Sequence, residues 1–476
     1  VLARGVGRGT RFLLHVVVGR ILGPVDFGIY IVAVSALIVV QKLDLMGLDR
    51  VGIRYGGILV SKGGRGERIR FLVVLLGGAT LLGLAVGAVL VATPSVWERA
   101  LSIPPSGRLV AILGLGLPLL TLSMALSGLL RGSHRPGAEA LWTEILIPVL
   151  NLGLLAALPL VPGAEAWTML EVIAAAFILS HLLPTLGMAV QVTRDYLAGG
   201  TGEVGNRILP PLSEMRTFAL GVWAVGAITV LLARVDRILV ARFLPPEAVG
   251  LYAAAAILAQ QNAFFVQSIA AVAAPRFALL ERQGGGPDLA ESAGAVENWT
   301  AIISIPVVLA TILLAPDLLG LLGAEFRSAW VVLVILSAAQ GVNVLTGASG
   351  SVLNMTGGER DNVVASGIGL AAMIVLASVG ASVFGVHGAA VGVGAAWASV
   401  WIIQRVAMTR RTGPPFPAFD VTTLAVPTVV ASLVGVLCLR ATPPGLVAIA
   451  VTGPLTLAAY AASMRAMLGR RSGAAR

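Results

Sequence analysis

Arg234, Asp236 and Arg237 interrupt a long apolar run at residues 217–243. On a helix, residues three apart share a face, so Arg234 and Arg237 point the same way. Two guanidinium forks on one face suit a phosphate or diphosphate, which they grip through bidentate, charge-assisted hydrogen bonds. If the run spans a bilayer, the pair lies about 15 Å from its outer end. Each ionisable group at such depth costs about 2.5–3.5 kcal/mol and faces a bundle interior or an aqueous cavity. The competing reading is structural: an ion pair of Asp236 with one arginine, or snorkelling to the interface.

Other polar residues inside apolar runs carry both kinds of reading. His15 stands in the first run, with Arg11 one turn earlier; it is read as a packed interior histidine or a proton relay. Arg20 and Arg242 close their runs just before Gly-Pro and Pro-Pro, as helix C-terminal partners or as groups that release an anionic head group. Gln260, Gln261 and Asn262, with Gln340 and Asn343, either bond between helices or line a path for sugar hydroxyls. Lys42 and Asp44 read as a snorkelling pair at a span end. Ser349 and His387 have the residue types of an intramembrane serine protease, but Ser349-Gly350 reads better as small-residue helix packing. No phosphate-binding Gly-x-x-x-x-Gly-Lys-Ser/Thr loop occurs, no cofactor is expected, and the chain is not expected to be an enzyme.

These groups need scaffolding that the composition identifies. Of 476 residues, 57% are hydrophobic and 12% charged, against about 25% charged in soluble domains. So few charges cannot cover a soluble surface, and lipid must be the solvent. Apolar windows predict about 14 spans, near 5–23, 27–47, 71–93, 109–130, 143–161, 169–192, 217–243, 249–271, 298–320, 329–353, 363–385, 387–408, 422–441 and 445–467. The connections are too short for a catalytic domain. The net charge of +10 sorts onto alternate loops, which predicts both termini in the cytoplasm and speaks against nucleic acid as a partner. The single cysteine, Cys438, allows no internal disulfide.

A duplication organises the spans. RILGPVDFGIY at 20–30 recurs as RFLPPEAVGLY at 242–252, and the same offset of 222 pairs Arg54 with Arg276, Ser127-Gly128 with Ser349-Gly350, and His15 with Arg237. Six spans fit within that offset, so the repeat is parallel: two six-helix lobes, each presenting a basic residue at one depth of its opening helix. The expected division is 1–193 for the first lobe, 194–216 for a cytoplasmic linker, 217–408 for the second lobe, and 409–476 for two extra helices and a basic tail.

The Arg-x-Leu-Gly-Pro-x-x-Phe-Gly-x-Tyr run resembles the Wzx-like polysaccharide flippases of the multidrug/oligosaccharidyl-lipid/polysaccharide (MOP) exporter superfamily. So do VDRILVARFLPPEAVGLYAAA from 235, GAEFRSAWVVLVIL from 323, VLNMTGGER at 352–360 and GVHGAAVGVGAAWAS from 385. The resemblance implies a two-lobed bundle with a cationic cavity. It also implies alternating-access export of a polyprenyl-pyrophosphate-linked glycan from the cytoplasmic leaflet of the plasma membrane. The partners it implies are the lipid-linked oligosaccharide, membrane lipid, a coupling ion (proton or sodium) and polysaccharide-assembly proteins. A drug or cation antiporter and a lipid II flippase use the same scaffold. The antiporter would call for uncompensated buried carboxylates, whereas the buried charges here are chiefly arginine.

Overall fold

The structure is a computed structural model, which describes residues 2–104, 107–157, 166–198, 209–347, 349–413 and 421–474. All its regular elements among these residues are helical: α1 (Leu2–Asp44), α2 (Leu48–Lys62), α3 (Arg65–Ala92), α4 (Pro94–Leu101), α5 (Gly107–Gly132) and α6 (Pro136–Ala140). From α6 the chain runs through a π-helical turn, Leu141–Leu146, into α7 (Ile147–Ala157). There follow α8 (Met169–Leu179), α9 (Leu182–Ala198), α10 (Leu212–Phe243), α11 (Pro246–Gln261), α12 (Ala263–Arg282), α13 (Pro287–Leu313) and α14 (Ala315–Gly320). The last are α15 (Trp330–Thr346), α16 (Ser349–Met355), α17 (Glu359–Thr412), α18 (Val421–Ala441) and α19 (Leu446–Ala474).

Twelve described helical segments are long and apolar enough to cross a membrane. Two of them are far longer than one bilayer: α1 has 43 residues and α17 has 54, or about 65 and 80 Å at helical rise. Each is broken by a glycine in the left-handed region, Gly23 (φ 66) and Gly385 (φ 62), where a Cβ would be strained. Those breaks fall on the last residues of the expected spans 5–23 and 363–385, so each long element holds two of the fourteen.

The duplication is written into the backbone. At the offset of 222, α3 lands on α13, α4 on α14, α5 on α15 and α16 together, and the start of α6 on the start of α17. Gly23-Pro24, which breaks α1, lands on Pro245-Pro246, which separates α10 from α11. The copies therefore use different residues for one corner: a glycine that tolerates positive φ, and a proline that ends a helix. α18 and α19 lie outside the repeat.

The described residues of Val1–Leu22 and Asp26–Arg242 pack as one unit, and those of Gly23–Val25 and Phe243–Arg476 as a second. The packing boundary thus follows α10, although the repeat starts its second copy at about 217. The physical reason is local to the first unit. Trp223 of α10 donates its indole N–H to the Leu43 carbonyl at 2.9 Å, and Gly47, at φ 82, leaves no room for a Cβ against the Ala219 carbonyl. Part of the expected linker 194–216, including Arg207, lies outside the described residues.

Candidate functional site: a basic cluster in the first unit

α10 carries Arg234, Asp236 and Arg237 as the sequence places them. Arg237 is 1% exposed and Asp236 4%. One arginine nitrogen, Nη1, donates to Asp236 Oδ1 at 3.1 Å and to the Ala233 carbonyl at 2.9 Å. The other two, Nε and Nη2, make no hydrogen bond among the described residues. The expected ion pair is therefore present, and it uses one corner of the fork. Arg234, half-buried on the same face, is close enough to interact electrostatically with Arg237, Asp236 and Arg11.

His15 joins this group, interacting with Arg234, Arg237 and Arg11. Its Nδ1 lies 2.6 Å from the Arg11 carbonyl. A carbonyl only accepts, so Nδ1 carries a proton and donates. His181 of α9's preceding turn has the same arrangement, Nδ1 to the Phe177 carbonyl at 2.8 Å, and also senses Arg11. The repeat mates His15 and Arg237 thus meet in one unit. The sequence places Arg11 one turn before His15 and does not name its long-range partner, Glu144 at 2.5 Å. The available signal was Glu144 itself, an acid four residues before Pro148 in an apolar run.

The remaining candidates are dispersed. Arg20 and Arg242 are both exposed, and Arg242 Nη1 makes a long 3.5 Å contact to Ser102 Oγ. Gln260, Gln261 and Asn262 point apart. Gln260 is exposed, Gln261 donates back to the Ile257 carbonyl at 3.2 Å, and buried Asn262 accepts from Thr311 of α13 at 2.9 Å. Gln340 and Asn343 bond each other at 3.0 Å. The expected Lys42–Asp44 pair is corrected. The chain reverses at Met46 and Gly47 (φ 47 and 82) and brings Asp49 to Lys42 at 2.6 Å, while Asp44 accepts from Thr121 at 3.0 Å. Ser349 donates to the Thr346 carbonyl at 2.6 Å, and Ser349-Gly350 opens the short α16.

A helical bundle duplicated in parallel, with arginines inside its spans, defines a multi-pass membrane protein, and its fold is similar to that of solved MurJ and MATE proteins. Among similar solved structures, a lipid II flippase, MurJ, in an inward closed conformation has TM-score 0.77 and 11% identity, covering 99% of this chain and 98% of that one. An inward-facing multidrug resistance MATE transporter of the MOP superfamily has TM-score 0.69 and 16% identity, with coverages of 84% and 93%. A MATE in complex with MaL6 has TM-score 0.60 and 15% identity, with coverages of 86% and 93%. No curated protein matches in sequence. The family model described as polysaccharide biosynthesis protein matches residues 1–281, and the chain belongs to that family.

Proposed function

We propose that the protein is a flippase that carries a polyprenyl-(pyro)phosphate-linked oligosaccharide from the cytoplasmic to the outer leaflet of the plasma membrane by alternating access, for polysaccharide or glycoconjugate assembly. The observation that carries this reading is the half-used fork of Arg237: a guanidinium 1% exposed with two nitrogens unbonded, beside Arg234 on the same face. A buried guanidinium with two nitrogens unbonded is costly to the fold. A phosphate that completes its hydrogen bonds gives it a purpose. The family description and the likeness to a lipid II flippase support a lipid-linked glycan over a free anion. Cytoplasmic termini, a proton or sodium gradient as driving force, and docking to polysaccharide-assembly proteins complete the proposal.

The test is binding of a polyprenyl-diphosphate oligosaccharide to the purified protein in lipid nanodiscs. Arg234→Ala/Arg237→Ala should weaken binding roughly tenfold or more, as loss of a charge-assisted bidentate contact does, while helicity and melting are retained. Equal binding by the double variant sinks the assignment. Binding of organic cations in place of the lipid diphosphate replaces it with the antiporter reading.

A further inference from the structure

The half of α1 before Gly23 carries a stripe at four-residue spacing, Gly7, Arg11 and His15, and so presents these three residues on one face. Gly7 is buried, and a Cβ there would stand 2.5 Å from the Glu144 carbonyl oxygen. The helix therefore seats its backbone directly on the Glu144 turn. One turn later Arg11 Nη2 meets Glu144 Oε2 at 2.5 Å.

Glu144 sits in the π-helical turn Leu141–Leu146. Its cause is chemical: Pro148 has no N–H, so the Glu144 carbonyl loses the partner an α-helix would supply four residues on, and the turn widens. The widened turn re-aims the side chain of Glu144 relative to a regular helix. Glycine, arginine, acid and proline form one arrangement on two helices of the first unit.

The two acids near the cluster differ in reach. Asp236 is buried beside Arg237 in sequence and in space. The Arg11–Glu144 pair has side chains 46% and 28% exposed, and an ion pair that open holds weakly. Arg11 still interacts electrostatically with Arg234 and His15, so it belongs to the same positive field.

We propose that Glu144 is a resident counter-ion of the anion site, holding Arg11 until the diphosphate of the substrate displaces it. Binding is then an exchange of one anion for another at Arg11, and rebinding of Glu144 helps to expel the head group. This inference rests on the flippase reading and adds to it a release element and a third guanidinium.

Farnesyl diphosphate, a short-tailed probe, is titrated into the full-length protein in nanodiscs at fixed ionic strength. Glu144→Gln should bind it roughly fivefold tighter and release it more slowly, because the competing charge is gone. Glu144→Asp, which keeps the charge, should stay within about twofold of wild type. Arg11→Ala should bind roughly tenfold more weakly, and adding Glu144→Ala to it should change nothing further. If Glu144→Gln binds no tighter while Arg234→Ala/Arg237→Ala loses binding, the counter-ion role falls and the flippase reading stands. Equal tightening by Glu144→Gln and Glu144→Asp assigns the effect to shape and also overturns the role. Should Glu144→Gln not fold, Arg11→Ala decides: wild-type affinity there overturns it. No binding of any lipid diphosphate by wild type removes both readings.

Discussion

The two units keep one backbone plan and treat charge in opposite ways. In the first, Arg11, His15, Arg234 and Arg237 gather with guanidinium nitrogens left over. In the second, polar groups close on one another. Glu297 of α13 contacts Arg405 of α17, Gln404 donates to Asn362 at 2.6 Å, and Asn362 donates to Asn354 at 2.8 Å. The repeat mates of Glu297 and Arg405 are Leu75 and Leu183, and those of Lys42 and Asp49 are Phe264 and Ala271. Duplication has preserved helix positions and let each copy choose its own ion pairs. Surplus positive charge in one unit and internal compensation in the other is the pattern expected if one is built to meet an anion and the other to hold shape.

The sharpest test of that contrast is the Glu297–Arg405 pair. Glu297 is 2% exposed and lies against Gly347, whose φ of 56 and lack of a Cβ admit it. Removing Arg405, itself 25% exposed, leaves Glu297 buried and unpaired. Arg405→Ala should therefore cost about 3 kcal/mol or more in reversible unfolding by denaturant. Replacing both with the leucines of the first copy, Glu297→Leu/Arg405→Leu, should recover most of that loss. If the double variant folds well but no longer transports, the pair works in the cycle and the division between the units breaks down.

A smaller effect separates the repeat mates Gly128 and Gly350. A Cβ on Gly128 would come within 2.4 Å of the Asp49 backbone carbonyl, whereas one on Gly350 would meet only the Gln404 side chain at 3.4 Å. Gly128→Ala forces α5 away from α2 and should cost about 2 kcal/mol, within the usual range for overpacking. Gly350→Ala should be within about 0.5 kcal/mol of wild type, since a surface-like contact yields. Thermal unfolding of the two single variants in one detergent compares them directly; equal losses would mean that both helix crossings are backbone contacts.

Spans, corners and the repeat were legible because each is local or periodic: apolar length sets a span, Gly-Pro sets a corner, and RILGPVDFGIY names its own copy. Arg234, Asp236 and Arg237 were legible as charges that have no other place in a span. Partnerships were not. Lys42 chose Asp49 over the nearer Asp44 because the positive φ of Met46 and Gly47 folds α2 back. Arg11 and Glu144 are 133 residues apart, and Glu297 and Arg405 also come from distant helices, so no sequence window contains either pair. Their trace in the sequence is a single charge within an apolar stretch, as in AVENWTAI and WIIQRVAM. That marks a residue in need of a partner without naming it. The amides at 260–262 misled for the opposite reason, since neighbours on a helix point about 100° apart and need not share a cavity.

The mildest contrast lies at Glu139 and Asp361, acids in register at the start of the fifth span of each copy. Glu139 accepts from Ser127 at 2.7 Å, with its side chain 14% exposed and Arg131 at 3.9 Å. Asp361 pairs instead with Arg411 at 2.9 Å, both side chains about 40% exposed. The sheltered carboxylate holds α5 to α6, so Glu139→Gln should cost about 1 kcal/mol, the scale of one partly buried hydrogen bond. The open pair is screened and its arginine is free to solvate, so Asp361→Asn should cost less than about 0.5 kcal/mol and lose even that at high salt. Chemical unfolding at low and high salt reads both. A larger loss at Asp361 than at Glu139 would show that the second unit closes its helices through this outer ion pair, and its compensation would then extend beyond the buried Glu297–Arg405 contact.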